Sequence, residues 1–217
     1  PPDRDALDRP LPPVGGPVRR AMRRATARVA AEFRRRLLAA ERPDDFAAEF
    51  VTGGLARVRD AVRVYRSGGR LGDEEAARLG LDLAVIRVRD EAWTLIDDDT
   101  IGAHLELWRD LATRLEPPFV PPAAALLGVA AWRNGDCTLA GIAVGRALAL
   151  DPDYTMARLL SEGLRHLVPP EILRSGPTAE ELDQQMGRPT VAWLIPLCGL
   201  LDDAGLSRSA PGRAEAS

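Results

Sequence analysis

Apolar residues recur at steps of three and four positions from Val18 to Ala40, which is the spacing of one face of an α-helix. The same spacing returns in the stretches that follow, and short turns rich in proline and glycine separate them. No stretch alternates steadily between apolar and polar residues, the pattern typical of a half-buried β-strand. The pattern therefore predicts an all-α fold, a helical bundle or short superhelix of about eight helices with tetratricopeptide-like helix hairpins.

Glycine and aspartate residues mark the expected interruptions and starts of these helices. Gly53 and Gly54 are expected to weaken or kink the second helix early, and Gly80 is expected to split the third. Asp98 or Asp99 is expected to cap the helix that follows them, because aspartate is a favoured N-cap residue.

The same pattern predicts four regions along the chain. Residues 1–17 are expected to form an extended linker or arm, and residues 18–170 a helical domain with a helix hairpin at about 121–152. Residues 171–204 are expected to form a C-terminal helical extension, and residues 205–217, which are small and polar, a disordered tail.

The opening segment and the cysteines bear on location. The chain opens on PPDRDALDRPLPPVGG, without the charged and then apolar leader of a signal peptide, so we expect a linker left from a longer protein. The most apolar run, VAWLIPLCGLL, is shorter than the ~20 residues that span a bilayer. Cys137 and Cys198 have no CxxC partner, which favours a reducing, cytoplasmic location.

Composition changes this picture little. The 217 residues are 46% hydrophobic but only 5% aromatic, so alanine and leucine form most of the core, as in helical proteins. The formal net charge is −3, which gives the whole chain no electrostatic preference for nucleic acid. All of the basic residues are arginines, and a GC-rich coding sequence explains that more simply than a functional demand does.

The stretch that begins at Pro121 resembles one tetratricopeptide repeat, a helix–turn–helix unit of about 34 residues. The matching signature positions are Leu127, Gly128, Ala140, Ala147 and Pro152. Small residues suit the points where two helices cross closely, and proline stops the second helix. Aromatic positions of the repeat hold alanine here, and the flanking windows match poorly. Any alanine-rich helix hairpin that ends in Asp-Pro is the alternative interpretation.

A wider resemblance extends from about residue 3 to residue 170. The segments DRDALDRPLPPVGGPVRRAMRRATAR, RVRDEAW and HLELWRDLATRLEPPFVPPAAALLGVAAWRNGDCTLAGIAVGRALALDPDYTMARLL are similar to the C-terminal helical half of an actinobacterial family, domain of unknown function 4192. The resemblance implies an actinobacterial origin and an α/β region that precedes this half. It implies no reaction, cofactor or catalytic residue.

The repeat frame places a candidate partner-binding groove on the first helix of the hairpin. Val129, Trp132 and Arg133 fall at groove positions, and a tryptophan beside an arginine is a combination enriched at binding hot spots. The alternative is that Trp132 fills the core of a protein with few aromatic residues. For Trp93 and Trp108 we prefer that core assignment.

The first helix carries arginines on the face opposite its apolar stripe. They are Arg19, Arg20, Arg23, Arg24, Arg28, Arg34 and Arg35. Such a basic face is typical of helices that bind nucleic acid, an anionic membrane or an acidic partner. The arginines have no aromatic residues between them that could stack on bases. The first interpretation is that this side of the helix faces solvent while the opposite side packs on the bundle. A preceding N-terminal domain is another candidate for contact there.

Residues that could carry catalysis are few. His104 and His166 lack ligand-spaced cysteine or histidine neighbours, and Cys137 resembles a small packing residue. Asp97, with the two aspartates after it, is better explained by helix capping than by cation binding. We predict no catalytic residue, no metal site and no cofactor.

The expected function is therefore a non-catalytic helical interaction module. Its expected partner is a protein or peptide, and its own N-terminal domain is one candidate. We expect no transmembrane segment, and the protein is free to form oligomers. One alternative is the regulatory or dimerisation half of an enzyme whose catalytic residues lie elsewhere. The other is a binder of anionic surfaces or nucleic acid through the Arg19–Arg35 helix, although we do not expect nucleic acid.

Overall fold

The computed structural model describes residues 11–174 and 178–206. Those residues form no strand, so the predicted all-α fold is confirmed. They contain ten α-helices, two more than predicted: α1 (Gly16–Leu38), α2 (Pro43–Arg66), α3 (Asp73–Leu83), α4 (Ile86–Thr94), α5 (Ile101–Arg114), α6 (Val120–Arg133), α7 (Cys137–Leu150), α8 (Thr155–Arg165), α9 (Ala179–Met186) and α10 (Ile195–Asp203). Three short 3-10 turns link some of them: Pro117–Phe119, Pro170–Arg174 and Val191–Leu194.

Helix α6 is the centre of the molecule. Every residue from Val120 to Trp132 is buried, because the sequence VPPAAALLGVAAW is apolar on all sides. Helices α5 and α7 pack on two sides of α6, and α3, α4 and α8 contact it as well. The core of this protein is thus built around one helix that has no solvent-facing side.

Small residues set the distance between α6 and α7. A Cβ atom on Gly128 would lie 2.9 Å from Cγ2 of Val144, so only glycine fits at this crossing. The turn between the helices contains Gly135 at φ +80°, a left-handed conformation that glycine adopts readily. Asp136 caps α7, because its Oδ1 accepts a hydrogen bond of 2.8 Å from the backbone N–H of Leu139.

Helix α2 runs unbroken through Gly53 and Gly54, so neither glycine ends the helix, and the expected weakening or kink stays a prediction. Gly80 does not split α3 either. A Cβ there would lie 2.9 Å from Cδ2 of Leu115, so this glycine serves packing between helices. The break between α3 and α4 comes instead at Val85, whose backbone is extended (φ −89°, ψ 119°).

The expected caps at Asp98 and Asp99 are also wrong. Helix α5 has Thr100 at its N-cap position, without a hydrogen bond from that side chain to the helix. Asp97 accepts from the Thr100 amide (2.7 Å) and from the Thr100 hydroxyl (2.6 Å), which orders the turn before the helix.

Part of the predicted N-terminal arm lies against the bundle. Leu11 is buried, and the backbone N–H of Val14 donates to the carbonyl of Thr113 over 3.0 Å. Arg146 joins the two segments, since its Nη1 donates to the carbonyl of Leu11 and its Nε to the carbonyl of Ala112, each over 2.8 Å. Residues 1–10 of the predicted arm lie outside the described residues.

The segment after α8 folds back against α1, α2, α4 and α6. Helix α9 packs on α4, and the turn Val191–Leu194 packs on α2. Leu194, Leu197 and Leu201 are fully buried, so this segment completes the core. Residues 207–217, which include most of the predicted disordered tail, lie outside the described residues.

Candidate functional site

The predicted groove around Trp132 is filled by the chain itself. Trp132 is 3% exposed and Val129 is fully buried. A Cβ atom on Gly163 of α8 would lie 2.5 Å from Cη2 of Trp132, so α8 can approach the indole only because Gly163 has no side chain. Neither Val129 nor Trp132 reaches the surface in this conformation, and their role in partner binding stays a prediction.

Arg133 joins α6 to the loop between α4 and α5. Its Nη1 donates to the carbonyl of Ile96, and its Nη2 lies 3.4 Å from Oδ1 of Asp98. The side chain is only 10% exposed, and these contacts fasten the end of the central helix. Arg133 therefore has a structural role here whatever else it binds.

The arginines of α1 lie largely as predicted. The arginine face, as we call it, consists of exposed side chains along the solvent side of the helix: Arg19, Arg20, Arg23, Arg24, Arg28 and Arg35. From Arg19 to Arg35 it extends about 24 Å at about 1.5 Å per residue. The opposite side of α1, which includes Met22 and Phe33, is buried in the bundle.

Few carboxylates neutralise this face. Arg28 pairs with Glu74 at 3.6 Å, and the other members of the arginine face have no ion pair within the described part of the chain. Arg34, which the sequence placed with them, is half-buried and pairs with Asp202 of α10. Five exposed arginines on this face therefore have no ion pair with a described residue, on a chain whose net charge is −3.

His104 is a buried structural histidine. Its Nδ1 accepts from the indole N–H of Trp108 (3.1 Å), which fixes the neutral tautomer in which Nε2 donates to the carbonyl of Leu95 (2.9 Å). Burial lowers the pKa of His104 to about 4. Trp108 is fully buried, in agreement with its assignment to the core.

The remaining polar candidates lie apart from one another. His166 is exposed beside Glu162 (3.6 Å). The expectation that Cys137 is a buried packing residue is wrong, because it is exposed at the first turn of α7. Although partial burial of Asp97 acts in the opposite direction, the hydrogen bonds from Thr100 lower its pKa. Among the described residues, no group of three or more histidine, cysteine or carboxylate side chains is arranged to hold a metal ion.

The two glycines inside α2 adjoin a buried ion pair. A Cβ on Gly53 would lie 3.0 Å from Nη1 of Arg57, and a Cβ on Gly54 would lie 3.0 Å from Cγ2 of Val88 and 3.4 Å from Cβ of Asp82. Each glycine inside a helix costs about 1 kcal/mol relative to alanine. The two glycines together therefore lower the stability of α2 by about 2 kcal/mol relative to two alanines.

Arg57 binds Asp82 through two parallel hydrogen bonds. Nε donates to Oδ2 over 2.6 Å and Nη2 donates to Oδ1 over 2.9 Å. The Asp82 side chain is fully buried, whereas that of Arg57 is 36% exposed. Burial raises the pKa of Asp82, and the contact with Arg57 opposes that rise. A buried carboxylate whose arginine partner faces a cavity is a feature typical of functional sites.

That cavity lies between α1, α2 and α3 and has a volume of about 200 Å³. Three arginines and three phenylalanines line most of it: Arg36, Arg57, Arg78, Phe33, Phe46 and Phe50. The phenylalanine rings contact one another, with 5.1 Å between the centroids of Phe33 and Phe50. Three of the four phenylalanines in the chain meet at this one place.

Carboxylates hold two of these arginines at the edge of the cavity. Arg78 donates from Nη2 to Glu32 over 2.7 Å, and Arg36 donates from Nη2 to Glu49 over 3.1 Å. The hydrogen bond from Arg78 lowers the pKa of Glu32, so this carboxylate is ionised at neutral pH. The cavity therefore combines an aromatic wall with fixed guanidinium groups.

Comparison with known proteins places the chain in a family. The family model described as Domain of unknown function (DUF4192) matches residues 1–171. The chain belongs to the DUF4192 family. No curated protein and no solved structure matches it. The family inferred from the sequence segments is confirmed, while the place of this region within longer DUF4192 proteins and the single tetratricopeptide-like repeat stay predictions.

The DUF4192 match includes the cavity, the ion pairs at its edge and the arginine face. It ends before α9. A second buried charge cluster joins the matched region to the segment beyond it. Arg87 of α4, whose side chain is 3% exposed, binds Glu91 at 2.9 Å on its own helix and Asp183 of α9 at 2.9 Å.

In the described part of the chain, no helix is both long and apolar enough to cross a membrane.

Sequence reasoning missed the cavity of this DUF4192 protein. The available signals were the glycine pair inside a helix-forming stretch and the gathering of phenylalanines in residues 33–50. Both have ordinary local explanations, and the contact between Arg57 and Asp82, 25 residues apart, gives no periodic signal in the sequence.

Proposed function

We propose that this protein is a non-catalytic helical interaction module that binds an acidic protein segment along the arginine face of α1. The observation that carries the proposal is the row of exposed arginines without an ion pair to any described residue, which include Arg20, Arg23 and Arg24. Fixed like charges along about 24 Å repel one another and lower the free energy of unfolding, and an acidic partner removes that repulsion.

The chemistry of the face favours a protein partner over a membrane or a nucleic acid. The apolar side of α1 is buried in the bundle, so it is unavailable for insertion into a bilayer. No aromatic side chain lies among the arginines to stack on bases, and the net charge of the chain is negative. An acidic helix or peptide needs only charge complementarity over a straight surface.

A cytoplasmic location and the helix-hairpin scaffold belong to the same proposal. Cys137 and Cys198 are free thiols, as is common in reducing compartments. The hairpin of α6 and α7, which we propose to be tetratricopeptide-like, packs its buried helix α6 on α3 and α5, and those two helices support α1.

The test is fluorescence anisotropy with a labelled glutamate-rich peptide and the whole chain. A variant with Arg19, Arg20, Arg23 and Arg24 changed to Gln is expected to bind at least about tenfold more weakly. A matched control removes the same charge elsewhere, through Arg42→Gln, Arg66→Gln, Arg158→Gln and Arg165→Gln. It is expected to change binding by no more than about twofold.

Salt and competing anions complete the test. Added salt is expected to weaken binding steeply, since the Debye length is only about 10 Å at 0.1 M ionic strength. Equal losses in both arginine variants would show a non-specific charge effect and overturn the proposal. Tighter binding to duplex DNA or to phosphatidylserine vesicles than to the peptide would assign the face to that class of partner instead.

A further inference from the structure

The cavity between α1, α2 and α3 is large enough for one aromatic ring with a small substituent. An apolar cavity of about 150 Å³ accepts benzene, and this one measures about 200 Å³. Phe33, Phe46 and Phe50 supply a wall on which a flat ring can pack edge-to-face. Phe33 and Phe46 are buried and Phe50 is half-buried, so the wall is preformed.

Hydrogen-bond donors outnumber acceptors at this cavity. Arg57 uses Nε and Nη2 for Asp82, and its Nη1, which faces Gly53, has no hydrogen bond to the described residues. Arg78 and Arg36 each give one Nη2 to a carboxylate. Because a guanidinium carries five N–H donors, several remain for a ligand that brings oxygen acceptors.

The surroundings select the side on which an anion binds. Arg57 and Arg78 also border a groove between α2 and α3, but Asp60, Glu74 and Glu75 line that groove. That groove has three carboxylates against two arginines and repels an anion, whereas the three arginines of the first cavity are balanced by Glu32, Glu49 and the buried Asp82. A negatively charged ligand is therefore directed to the phenylalanine side of the two arginines.

Gly53 keeps this side open. A side chain at this position would point at the guanidinium of Arg57, with 3.0 Å from its Cβ to Nη1 and 3.3 Å to Nη2. Any larger residue therefore forces Arg57 to move or fills the space beside Nη1. A helix that retains glycine here, where alanine suits a helix better, keeps access to this donor.

We propose that the cavity binds a small aromatic carboxylate. Its ring packs on Phe33, Phe46 and Phe50, and its carboxylate accepts hydrogen bonds from Nη1 of Arg57 and from Arg78. The site is independent of the arginine face, because Arg57 and Arg78 lie on α2 and α3 and face the interior side of α1.

Isothermal titration calorimetry with the whole chain and three probes tests the ligand class. Phenylacetate is expected to bind, while acetate, which lacks the ring, and phenylacetamide, which lacks the charge, are expected to bind at least about tenfold more weakly. Equal affinity for phenylacetate and either comparison compound, or no heat with phenylacetate at saturating concentration, would overturn the proposal.

Two variants locate the site. Gly53→Ala is expected to weaken phenylacetate binding at least about tenfold, because its Cβ lies 3.0 Å from Nη1 of Arg57, while the gain in helix propensity offsets part of the crowding and the chain still unfolds cooperatively. Gly141→Ala is the control. Gly141 lies on α7, which does not line the cavity, and a Cβ there meets nothing within 4 Å. Arg36→Gln, at an exposed rim position, is expected to weaken binding severalfold without loss of fold. Unchanged affinity in Gly53→Ala would show that the ligand does not bind at this cavity.

Discussion

The indole of Trp132 lies in the space left by the missing side chain of Gly163. The shortest distance from a Cβ built on Gly163 to the ring is 2.5 Å, to Cη2, and the next is 3.0 Å, to Cζ3. Trp132 ends the central helix and Gly163 lies near the end of α8, so this contact closes the bundle on that side. An accessible groove at Trp132 would require α8 to move away.

The first prediction concerns Gly163→Ala. Alanine improves helix propensity by about 1 kcal/mol, but its Cβ overlaps the rigid indole. Overpacking of a well-filled site costs about 1–3 kcal/mol, so we expect a net loss of up to about 2 kcal/mol in the free energy of unfolding. Urea denaturation followed by tryptophan fluorescence measures this loss.

A matched glycine-to-alanine change separates packing from propensity. A Cβ on Gly145, on the exposed side of α7, meets nothing within 4 Å, so Gly145→Ala is expected to stabilise by about 0.5–1 kcal/mol. The double variant with Trp132→Phe is expected to recover part of the loss, because the smaller ring leaves room for the methyl group. Stabilisation by Gly163→Ala itself would contradict the packing argument.

The second prediction is a pH dependence from His104. Burial lowers its pKa from 6.5 to about 4, so between these values the unfolded chain binds a proton that the folded chain does not. The free energy of unfolding is therefore highest above about pH 6.5 and falls as the pH drops toward 4. At about 1.36 kcal/mol per pKa unit, the loss from this residue amounts to about 3 kcal/mol.

Two glutamine variants measure that contribution. His104→Gln keeps an amide near the carbonyl of Leu95 but has no proton to gain, so its stability is expected to fall less between pH 6.5 and 4 than that of the wild type. His166→Gln serves as the control, because His166 is exposed and packs on nothing in the core. Parallel stability profiles for wild type and His104→Gln would refute the assignment.

The sequence predicted those parts of the fold that depend on local pattern. The helix hairpin at about 121–152 and the small residue Gly128 at its close crossing depend on residues close in the chain, which is why both were predictable. The groove at Trp132 depended on an assumption that helices stack as an open repeat. In the structure α3, α4 and α5 cover the same helix, and no periodicity indicates such long-range packing.

The candidate site shows the same limit more sharply. The arginine face was predictable because its members lie on one helix and repeat at helical spacing. The cavity depends on side chains from α1, α2 and α3 that meet only in the folded chain. The sequence predicted a local weakness at Gly53 and Gly54, but it could not show that Arg57 packs against Gly53 and Val88 against Gly54.

The third prediction concerns the buried pair of Arg57 and Asp82. Asp82→Asn removes the charge that offsets Arg57 and leaves a buried amide with one acceptor. We expect a loss of about 3 kcal/mol in the free energy of unfolding, the low end for a broken buried pair, since Arg57 is partly exposed and can turn toward water. Thermal and chemical denaturation both measure it.

Asp60→Asn is the control for that change, because Asp60 forms an exposed pair with Arg63. An exposed pair contributes about 0–1 kcal/mol, so the control is expected to unfold almost as the wild type does. If the Asp82 and Asp60 variants lost equal stability, Asp82 would not be the buried partner that the structure describes.

The last prediction concerns the segment beyond the family match. Asp183 of α9 is 72% exposed, yet it binds Arg87, which is 3% exposed, and Leu182 beside it is buried. Asp183→Asn weakens this contact while the Arg87–Glu91 pair persists inside the bundle. The expected result is faster hydrogen exchange in α9 with little change in α6, because α9 packs mainly on α4.

Glu180→Gln, an exposed change on the same helix, is expected to leave hydrogen exchange in α9 unaltered. Equal protection of α9 in the wild type and in Asp183→Asn would mean that Leu182 and the following turn, and not the ion pair, hold this helix in place.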